Sequence, residues 1–361
     1  QAIDLKYVEA STRKISEFAK GETIIVEKST LPVKTAETIK KILEVSNKNN
    51  PQKRFFVLSN PEFLAEGTAI NDLLFPERVL IGGDNLEAIN LLSNIYTNWI
   101  DVSKIITTNL WSSELSKLIA NAFLAQRVSS INSVTALCEA TGANIKDVSL
   151  AIGTDKRIGK YFLNPGPGFG GSCFKKDILN LVYICNHYGL YEISSYWEGI
   201  ININNWQKKR LTKLIVEKLF GTISGKKIAI LGFAFKANTN DTRESPAIDI
   251  SNDLLKEGAI LSIYDPRVSY DQIKNDLDNK DKLYDQNSKE GEWIYQEDIY
   301  KATKNADAIV ILTESDEFKV LDWSEISKNI RYPSWVFDTK GLCNTNEALT
   351  FDINVWTLGQ G

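Results

Sequence analysis

Short apolar runs alternate with helical patterns at both ends of this 361-residue chain. Runs typical of strands occupy residues 23–29, 55–59 and 78–83, and helical patterns lie between them. From Trp111 to about residue 220 the apolar residues follow a helical period only, and alternation restarts at residues 228–231. Because short apolar strands that alternate with helices are typical of parallel, doubly wound sheets, the pattern predicts an α/β protein with a helical middle.

Further strands are expected in the last third of the chain, at residues 260–264, 308–313 and 334–338. The Asp-, Lys- and Asn-rich stretch 267–296 is expected to be a surface insertion. We therefore expect three domains, with the helical one in the middle. Their predicted ranges are residues 1–110, 111–222 and 223–361.

Composition excludes several classes of protein. The chain is 43% hydrophobic and 24% charged, which is typical of a globular protein with large cores. Its net charge of −4 offers no basic surface for nucleic acid or an anionic membrane. Its four cysteines contain no CxxC pair, so we expect a reducing compartment, the cytosol. The single histidine, His187, leaves acid–base chemistry to carboxylates, lysines and cysteine.

A loop rich in glycine and proline precedes one of these cysteines. Residues 164–172 read NPGPGFGGS, which cannot form a helix or a strand, and Cys173 follows directly. A helix is predicted from about Lys175, and its N-terminus, together with Lys175 and Lys176, favours a thiolate. We therefore favour Cys173 as a nucleophile over a small cysteine buried after a tight turn.

Two other segments carry polar side chains in suggestive positions. Glu62 and Glu66 follow the predicted strand 55–59, at the carboxyl end where ligands bind in open α/β sheets. They suit a general base and a ligand contact, or merely the first turn of a helix. Lys117 and Asn121 share one helix face with Glu114 and could hold an oxyanion. A solvated polar stripe would have the same spacing and, on spacing alone, is favoured.

The C-terminal α/β region begins with the strand 228–231, and Gly232, Lys236 and Arg243 follow it before the next predicted helix. A loop of this kind suits a phosphate or a diphosphate. Asp265 ends the next strand, where an acidic residue often binds a ribose hydroxyl in nucleotide-binding folds. GxxxxGK[ST] does not occur in the chain, and no GxGxxG follows one of its predicted strands.

Five motifs, in this order, resemble the UDP-glucose/GDP-mannose dehydrogenase family over nearly the whole chain. They are EKSTLPV at 27–33, SNPEFLAEGTAI at 59–70, SSELSKLIANAFLAQRVSSINS at 112–133, GFGGSCFKKD at 168–177 and ILGFAFKANTNDTRES at 230–245. The resemblance implies two Rossmann-like α/β domains, one binding NAD and one binding UDP, joined by a helical dimerisation domain. It also implies that the family's GxGYVG fingerprint and first βαβ unit would precede Gln1, so that the chain is expected to be truncated at its N-terminus.

The resemblance implies oxidation of UDP-glucose to UDP-glucuronate with two NAD⁺, through a thiohemiacetal and a thioester on Cys173. Lys117 and Asn121 would stabilise the oxyanion, and Glu62 would act as acid and base on the hydrolytic water, helped by Thr30 and Asp177. The implied substrate contacts are Phe63, Leu64, Ala65, Glu66, Arg157, Phe162, Asn164, Gly168, Phe169, Gly170, Phe235 and Lys236, with Arg157 reaching a neighbouring subunit. The implied NAD contacts are Ser29, Thr30, Glu66, Lys176 and Arg243, and no metal is implied.

One departure and two alternatives qualify the resemblance. The family's Asp-x-Arg near the C-terminus reads Asp338-Thr339-Lys340 here, so a substrate-binding arginine is either replaced by Lys340 or lost. The chain could act on another nucleotide sugar, such as GDP-mannose or a UDP-N-acetylhexosamine. It could also be a non-catalytic subunit that binds a nucleotide sugar, although the intact set of Cys173, Lys117 and Glu62 argues against this.

We also expect a homo-oligomer, either a dimer or a hexamer built from dimers. Aromatic residues crowd the predicted helices between residues 175 and 220, and aromatic side chains are enriched at interfaces. They are Tyr183, Tyr191, Tyr196, Trp197 and Trp206.

Overall fold

A computed structural model of the chain describes residues 5–30, 34–49, 52–278 and 291–361. These residues group into two compact units. The first unit comprises Gln1–Phe123 and Asp177–Trp197, and the second comprises Leu124–Lys176 and Glu198–Gly361. The predicted boundaries of the three domains stay a prediction.

The predicted helices and strands occur in the predicted order, with further elements between them. The N-terminal elements are α1 (Lys6–Phe18), β1 (Glu22–Glu27), α2 (Thr35–Asn49), β2 (Arg54–Ser59), α3 (Ala69–Leu74), β3 (Val79–Gly82), α4 (Leu86–Tyr96) and β4 (Ile105–Thr108). The helical middle contains α5 (Leu110–Thr141), α6 (Ile145–Thr154), α7 (Phe174–His187) and α8 (Tyr191–Lys218). The C-terminal elements are β5 (Lys227–Leu231), α9 (Pro246–Lys256), β6 (Ile260–Tyr264), α10 (Tyr270–Asp278), β7 (Glu292–Tyr295), α11 (Ile299–Thr303), β8 (Ala308–Ile311), α12 (Trp323–Asn329), β9 (Ser334–Asp338), α13 (Thr345–Thr350) and β10 (Ile353–Thr357).

The sheet of the first unit has the strand order β1-β2-β3-β4. β1 is parallel to β2 and β3 is parallel to β4, but β2 and β3 meet antiparallel, at Ser59 and Gly82. The prediction of a parallel sheet is therefore wrong at this pair. An apolar run looks the same in either direction, so strand direction is decided by the connection between the strands and not by the run itself.

The six-stranded sheet of the second unit is parallel throughout, with the order β10-β9-β8-β5-β6-β7. The chain moves outward from β5 to β7 and then returns to the other side of β5 with β8. Strand order therefore reverses between β5 and β8, which is the point where open α/β sheets bind ligands.

Strand β5 shows why the strands of this sheet are continuous apolar runs in the sequence. Ile228 and Ile230 belong to the core on one face, with helices α8 and α9, and Ala229 and Leu231 belong to the core on the other. Successive side chains of a strand point to opposite faces, so a strand covered on both faces must be apolar at every position.

The predicted fold class, two α/β regions separated by a helical middle, is confirmed. Three strands were missed, namely β4, β7 and β10. The prediction that 267–296 is only a surface insertion is wrong at both ends, because α10 is a helix there and β7 pairs with β6; residues 279–290 lie outside the described part. β7 alternates exposed and half-buried residues, and such an edge strand has too little apolar content to stand out. Among the described residues, no helix has both the length and the apolar character needed to cross a membrane.

Two buried carboxyl groups face each other in the first unit. Glu27 ends β1 and is 7% exposed, and Glu114 of α5 is 5% exposed. Burial raises the pKa of Glu114, and its carboxylate opposes this by accepting the backbone N–H groups of Lys34 and Ala36 at 2.8 and 2.9 Å. Burial, followed by the neighbouring Glu114, raises the pKa of Glu27 to about 8. Near neutral pH the pair therefore retains a proton.

We expect Glu27→Gln to stabilise the protein increasingly as pH rises from about 5 to about 8. In this window the folded wild type keeps the Glu27 proton and the unfolded chain has lost it, so the wild type's free energy of unfolding falls with rising pH. The difference should reach on the order of a few kcal/mol, measured by urea unfolding at several pH values. Glu22→Gln, at the exposed start of the same strand, is the control. A difference between Glu27→Gln and wild type that stays constant with pH would contradict the raised pKa of Glu27.

Candidate functional site

Three side chains meet in the first unit at the loop after β2. Lys117 of α5 is 5% exposed, and its Nζ lies 3.4 Å from Glu62 Oε1. The same ammonium lies 5.2 Å from the centroid of the Phe63 ring. The second oxygen of Glu62 accepts the backbone N–H of Leu64 at 2.6 Å. A buried ammonium needs such partners. Because Lys117 is buried, the interpretation of this helix face as a solvated polar stripe is wrong.

One helical turn further along α5, Asn121 contacts the acidic residue of the fourth motif. Asn121 Nδ2 donates to Asp177 Oδ2 at 2.6 Å, and the two residues are 7% and 0% exposed. Lys117 and Asn121 lie four residues apart, so the polar face of α5 runs through the interior of the first unit.

A second polar network fixes the base of the Glu62 loop. Lys28 Nζ donates to Asn60 Oδ1 at 3.0 Å and to the Tyr96 hydroxyl at 2.9 Å. The Tyr96 hydroxyl donates to the same Asn60 oxygen at 2.6 Å, and Asn60 Nδ2 donates to the Leu80 carbonyl at 2.8 Å. The network joins the ends of β1, β2 and β3, and it borders a cleft of about 290 Å³ that Glu62 also lines.

The predicted NAD contacts of the first unit lie beside these residues in the chain. Ser29 and Thr30 follow the carboxyl end of β1, where Ser29 is exposed and Thr30 is half-buried. Glu66 is exposed in the loop that carries Glu62. Hydroxyl groups at the carboxyl end of a parallel strand suit the ribose and phosphate oxygens of a dinucleotide, so these residues fit the cofactor.

In the second unit, side chains from two helices hold the glycine-rich loop. Asn132 of α5 accepts the Gly166 N–H at 2.9 Å, and Gln207 of α8 donates to the Gly166 carbonyl at 3.1 Å. Asn204 of α8 accepts the Phe169 N–H at 2.8 Å and donates to the Phe169 carbonyl at 3.2 Å. None of these three residues was predicted from the sequence. Asn204 and Gln207 share a helix face, and amides at that spacing are a usable signal.

Residues 232–245 connect β5 and α9, and we call this segment the nucleotide loop. It packs against the end of the same glycine-rich loop. The Gly171 N–H donates to the Arg243 carbonyl at 2.8 Å. A Cβ on Gly170 would lie 2.6 Å from the Glu244 carbonyl oxygen and 2.8 Å from Phe235 Cβ. Position 170 therefore has room only for glycine, which explains a residue that the resemblance singled out.

Cys173 is the exposed member of four free cysteines, and α7 begins directly after it. Lys175, in the first turn, pairs with Glu244 at 2.7 Å. Burial raises the pKa of the Cys185 thiol, and burial together with the Asp338 carboxylate raises the pKa of the Cys343 thiol. These two thiols are thus kept protonated, while Cys173 combines access with a position at a helix N-terminus.

Phe235 and Lys236 follow β5 at the point where strand order reverses in the second sheet. Asp265 is 4% exposed and offers no free acceptor to a ribose hydroxyl, so the prediction of a ribose contact is wrong. One of its oxygens accepts the backbone N–H groups of Phe233 and Ala234, and the other accepts those of Arg267 and Val268. The carboxylate of Asp265 holds the nucleotide loop in place, as its local partners use both oxygens.

The other substrate candidates of the second unit lie in the glycine-rich loop or shortly before it in the chain. The rings of Phe162 and Phe169 lie 6.4 and 5.8 Å from the Phe174 ring. Asn164 is exposed, and Gly168 lies against Asn204. The Arg157 side chain is 89% exposed and pairs with Asp155 at 2.5 Å, so it projects away from the second unit.

Lys340, at which the sequence departs from the pattern that the resemblance implies, lies beside the glycine-rich loop. Its Nζ pairs with Glu314 at 2.6 Å and would lie 3.1 Å from a Cβ placed on Gly166. Although burial alone would raise the pKa of Glu314, the Lys340 ammonium lowers it. Lys340 thus places a cation beside the glycine-rich loop.

We expect Gly170→Ala to lower kcat roughly 10²-fold, because the added methyl group must displace the Glu244 carbonyl or the loop that leads to Cys173. Steady-state kinetics of the full-length protein measures this. Gly199→Ala is the matched control, since a Cβ at that helical position meets no atom within 4 Å. A normal kcat for Gly170→Ala would show that the close packing of the two loops is irrelevant to turnover.

Sequence models of the UDP-glucose/GDP-mannose dehydrogenase family match three consecutive parts of the chain. The NAD binding domain matches residues 1–100, the central domain matches residues 111–206 and the UDP binding domain matches residues 229–345. Together they cover more than two thirds of the chain.

Individual relatives agree with this assignment. UDP-glucose 6-dehydrogenase of Caenorhabditis elegans is 54% identical over 362 residues, which cover 99% of this chain and 75% of that protein. UDP-glucose 6-dehydrogenase 1 of Glycine max is 50% identical over 374 residues, which cover 100% of this chain and 77% of that protein. The structure of a UDP-glucose dehydrogenase from Pyrobaculum islandicum superposes with a TM-score of 0.84 at 28% identity, over 99% of this chain and 76% of that one. The chain belongs to the UDP-glucose/GDP-mannose dehydrogenase family.

Proposed function

We propose that this protein is an NAD-dependent UDP-glucose 6-dehydrogenase that oxidises the C6 alcohol of UDP-glucose to the carboxylate of UDP-glucuronate. The observation that carries the proposal is Cys173, an exposed thiol at the start of α7 on a loop held by buried amides. Relatives of 50–54% identity bear this activity in their names. The reaction removes four electrons in two steps, and NAD, when bound, accepts a hydride in each.

The thiol of Cys173 explains how the C6 alcohol can be oxidised to the level of a carboxylic acid. Its sulfur adds to the C6 aldehyde and forms a thiohemiacetal. Loss of a second hydride from C6, together with the proton on O6, turns this into a thioester. Water then attacks the thioester carbon, the C–S bond breaks, and the acid and the thiol are released. The enzyme thus never has to release a free aldehyde.

Lys117 and Glu62 supply the charge and the proton transfers in this proposal. The Lys117 ammonium stabilises the negative charge on O6 as each tetrahedral carbon forms, and Asn121 adds a hydrogen-bond donor. Glu62 accepts a proton from the hydrolytic water, with Thr30 and Asp177 as helpers. Burial of Lys117 beside Glu62 supports these roles, since an ammonium acts more strongly on nearby charge where water is excluded.

The other candidate residues bind the two ligands. Phe235 and Lys236 hold the UDP portion at the point where strand order reverses in the second sheet, and Arg157 projects toward the site of a neighbouring subunit. The remaining substrate contacts are Phe63, Leu64, Ala65, Glu66, Phe162, Asn164, Gly168, Phe169 and Gly170. The proposed NAD contacts are Ser29, Thr30, Glu66, Lys176 and Arg243.

Replacement of the nucleophile tests the proposal directly. We expect Cys173→Ser to abolish formation of two NADH per UDP-glucose and to leave binding of UDP-glucose nearly intact, because only the covalent step is lost. Absorbance at the NADH band and calorimetry measure the two quantities. Cys185→Ala, which removes a buried thiol from the same helix, should keep both.

The same assays separate the alternatives. Full turnover by Cys173→Ser would exclude a thiohemiacetal on this residue. NADH formation from GDP-mannose or UDP-N-acetylglucosamine, with none from UDP-glucose, would show that the enzyme acts on another nucleotide sugar. Binding of UDP-glucose without any NADH from the wild type would indicate a non-catalytic subunit.

We further propose that the protein forms a homo-oligomer and works in the cytosol, where its four free thiols stay reduced. Tyr183, Tyr191 and Tyr196 on α7 and α8 are 47%, 67% and 54% exposed, and Trp206 is 42% exposed. Trp197 has to be left out of this surface, as it is 8% exposed and packs on Phe123. An exposed aromatic set of this kind suits an interface.

Light scattering tests the oligomer. We expect the double variant Tyr191→Asp/Tyr196→Asp to lower the mass of the particle to that of a smaller species, because two charges would be buried without partners. Tyr7→Asp, at an exposed tyrosine on α1, is the control and should leave the mass unchanged. An unchanged mass for the double variant would place the interface elsewhere.

A further inference from the structure

Arg78 is not one of the proposed site residues, but it contacts one of them, Phe63. It is exposed, it precedes β3, and its guanidinium carbon lies 3.9 Å from the centroid of the Phe63 ring. At that distance the planar guanidinium stacks on the ring and is attracted by its electron-rich face. In the part of the chain that the structure describes, Arg78 makes no ion pair, so stacking is the contact that orients it.

The Phe63 ring in turn contacts the buried ammonium of the site. Lys117 Nζ lies 5.2 Å from the centroid of this ring and 3.4 Å from Glu62 Oε1. Two consecutive residues of one loop thus supply both contacts, a carboxylate and an aromatic face. The position of the ammonium therefore depends on how well this loop is fixed.

The loop needs support because it is neither helix nor strand. Its base is held at Asn60 by the network with Lys28 and Tyr96. Phe63 lies three residues after Asn60 in the loop, and the guanidinium of Arg78 contacts its ring. Arg78, Phe63 and Glu62 all line the cleft of about 290 Å³.

We propose that Arg78 is a positioning residue, which stacks on Phe63 and thereby keeps Glu62 and the Lys117 ammonium in place for the reaction. The inference rests on the proposed function, which assigns Glu62 and Lys117 to the chemistry. Arg78 itself touches neither substrate nor cofactor in this scheme. Loss of its side chain loosens the ring, and the ammonium then spends less time where charge develops on O6.

The first test is a split between kcat and KM. Arg78→Ala in the full-length protein should lower kcat about 3- to 30-fold, the range of a cation–π contact, and change KM for UDP-glucose little. Arg78→Lys keeps a charge without the planar stack and should fall between Arg78→Ala and wild type. Arg54→Ala, which removes an arginine paired with Glu22 in the same sheet, is the control and should keep kcat.

A double-mutant cycle and chemical rescue decide whether Arg78 acts through the ring. In a Phe63→Leu background, Arg78→Ala should cause almost no further loss of kcat, because the stacking partner is gone. Added methylguanidinium should restore kcat of Arg78→Ala, and methylammonium at equal ionic strength should not. If Arg78→Ala folds poorly, Arg78→Lys and the rescue in the folded fraction provide the same comparison.

The outcomes keep this inference apart from the proposed function. A wild-type protein that forms no NADH from UDP-glucose would overturn both. An active wild type with normal kcat for Arg78→Ala, independent losses in the cycle, or rescue by either cation would overturn the role of Arg78 alone.

Discussion

Buried backbone groups of the glycine-rich loop must find hydrogen-bond partners, and the second unit is arranged around that requirement. The loop is irregular, so its amides and carbonyls cannot satisfy one another as they would in a helix or a sheet. Asn132, Asn204 and Gln207 supply the partners from two long helices. Because leaving such groups unpaired costs on the order of 1–3 kcal/mol each, the helices and the loop hold each other in one arrangement.

That arrangement explains the sequence at the end of the loop. Gly170 and Gly171 let the nucleotide loop approach, and the Gly171 N–H closes the contact on the Arg243 carbonyl. Cys173 follows at the start of a helix, on a backbone that has little freedom left. A thiol presented in this way meets a ligand without first paying for its own ordering, which is the physical advantage of a preorganised site.

In the first unit, the arrangement of the site residues depends on buried charged groups. Lys117 is almost fully buried and pairs with Glu62 and with the face of Phe63. Glu27 and Glu114 both have raised pKa values, because burial disfavours the charged form of each carboxyl group. In each case the charge state depends on groups that come from different strands and helices, so these residues act as sets and not singly.

The sequence by itself determined the order of elements, the helical middle and the residues of the five motifs, since apolar period and local motifs are properties of neighbouring residues. It also singled out Cys173, Lys117 and Glu62. It could not show that β2 and β3 meet antiparallel, that Asp265 holds a loop, or that Lys117 is buried. Only the tertiary structure decided these points, because burial and hydrogen bonding depend on partners far along the chain. Asn204 lies 35 residues from the loop that it holds, and no local pattern encodes that contact.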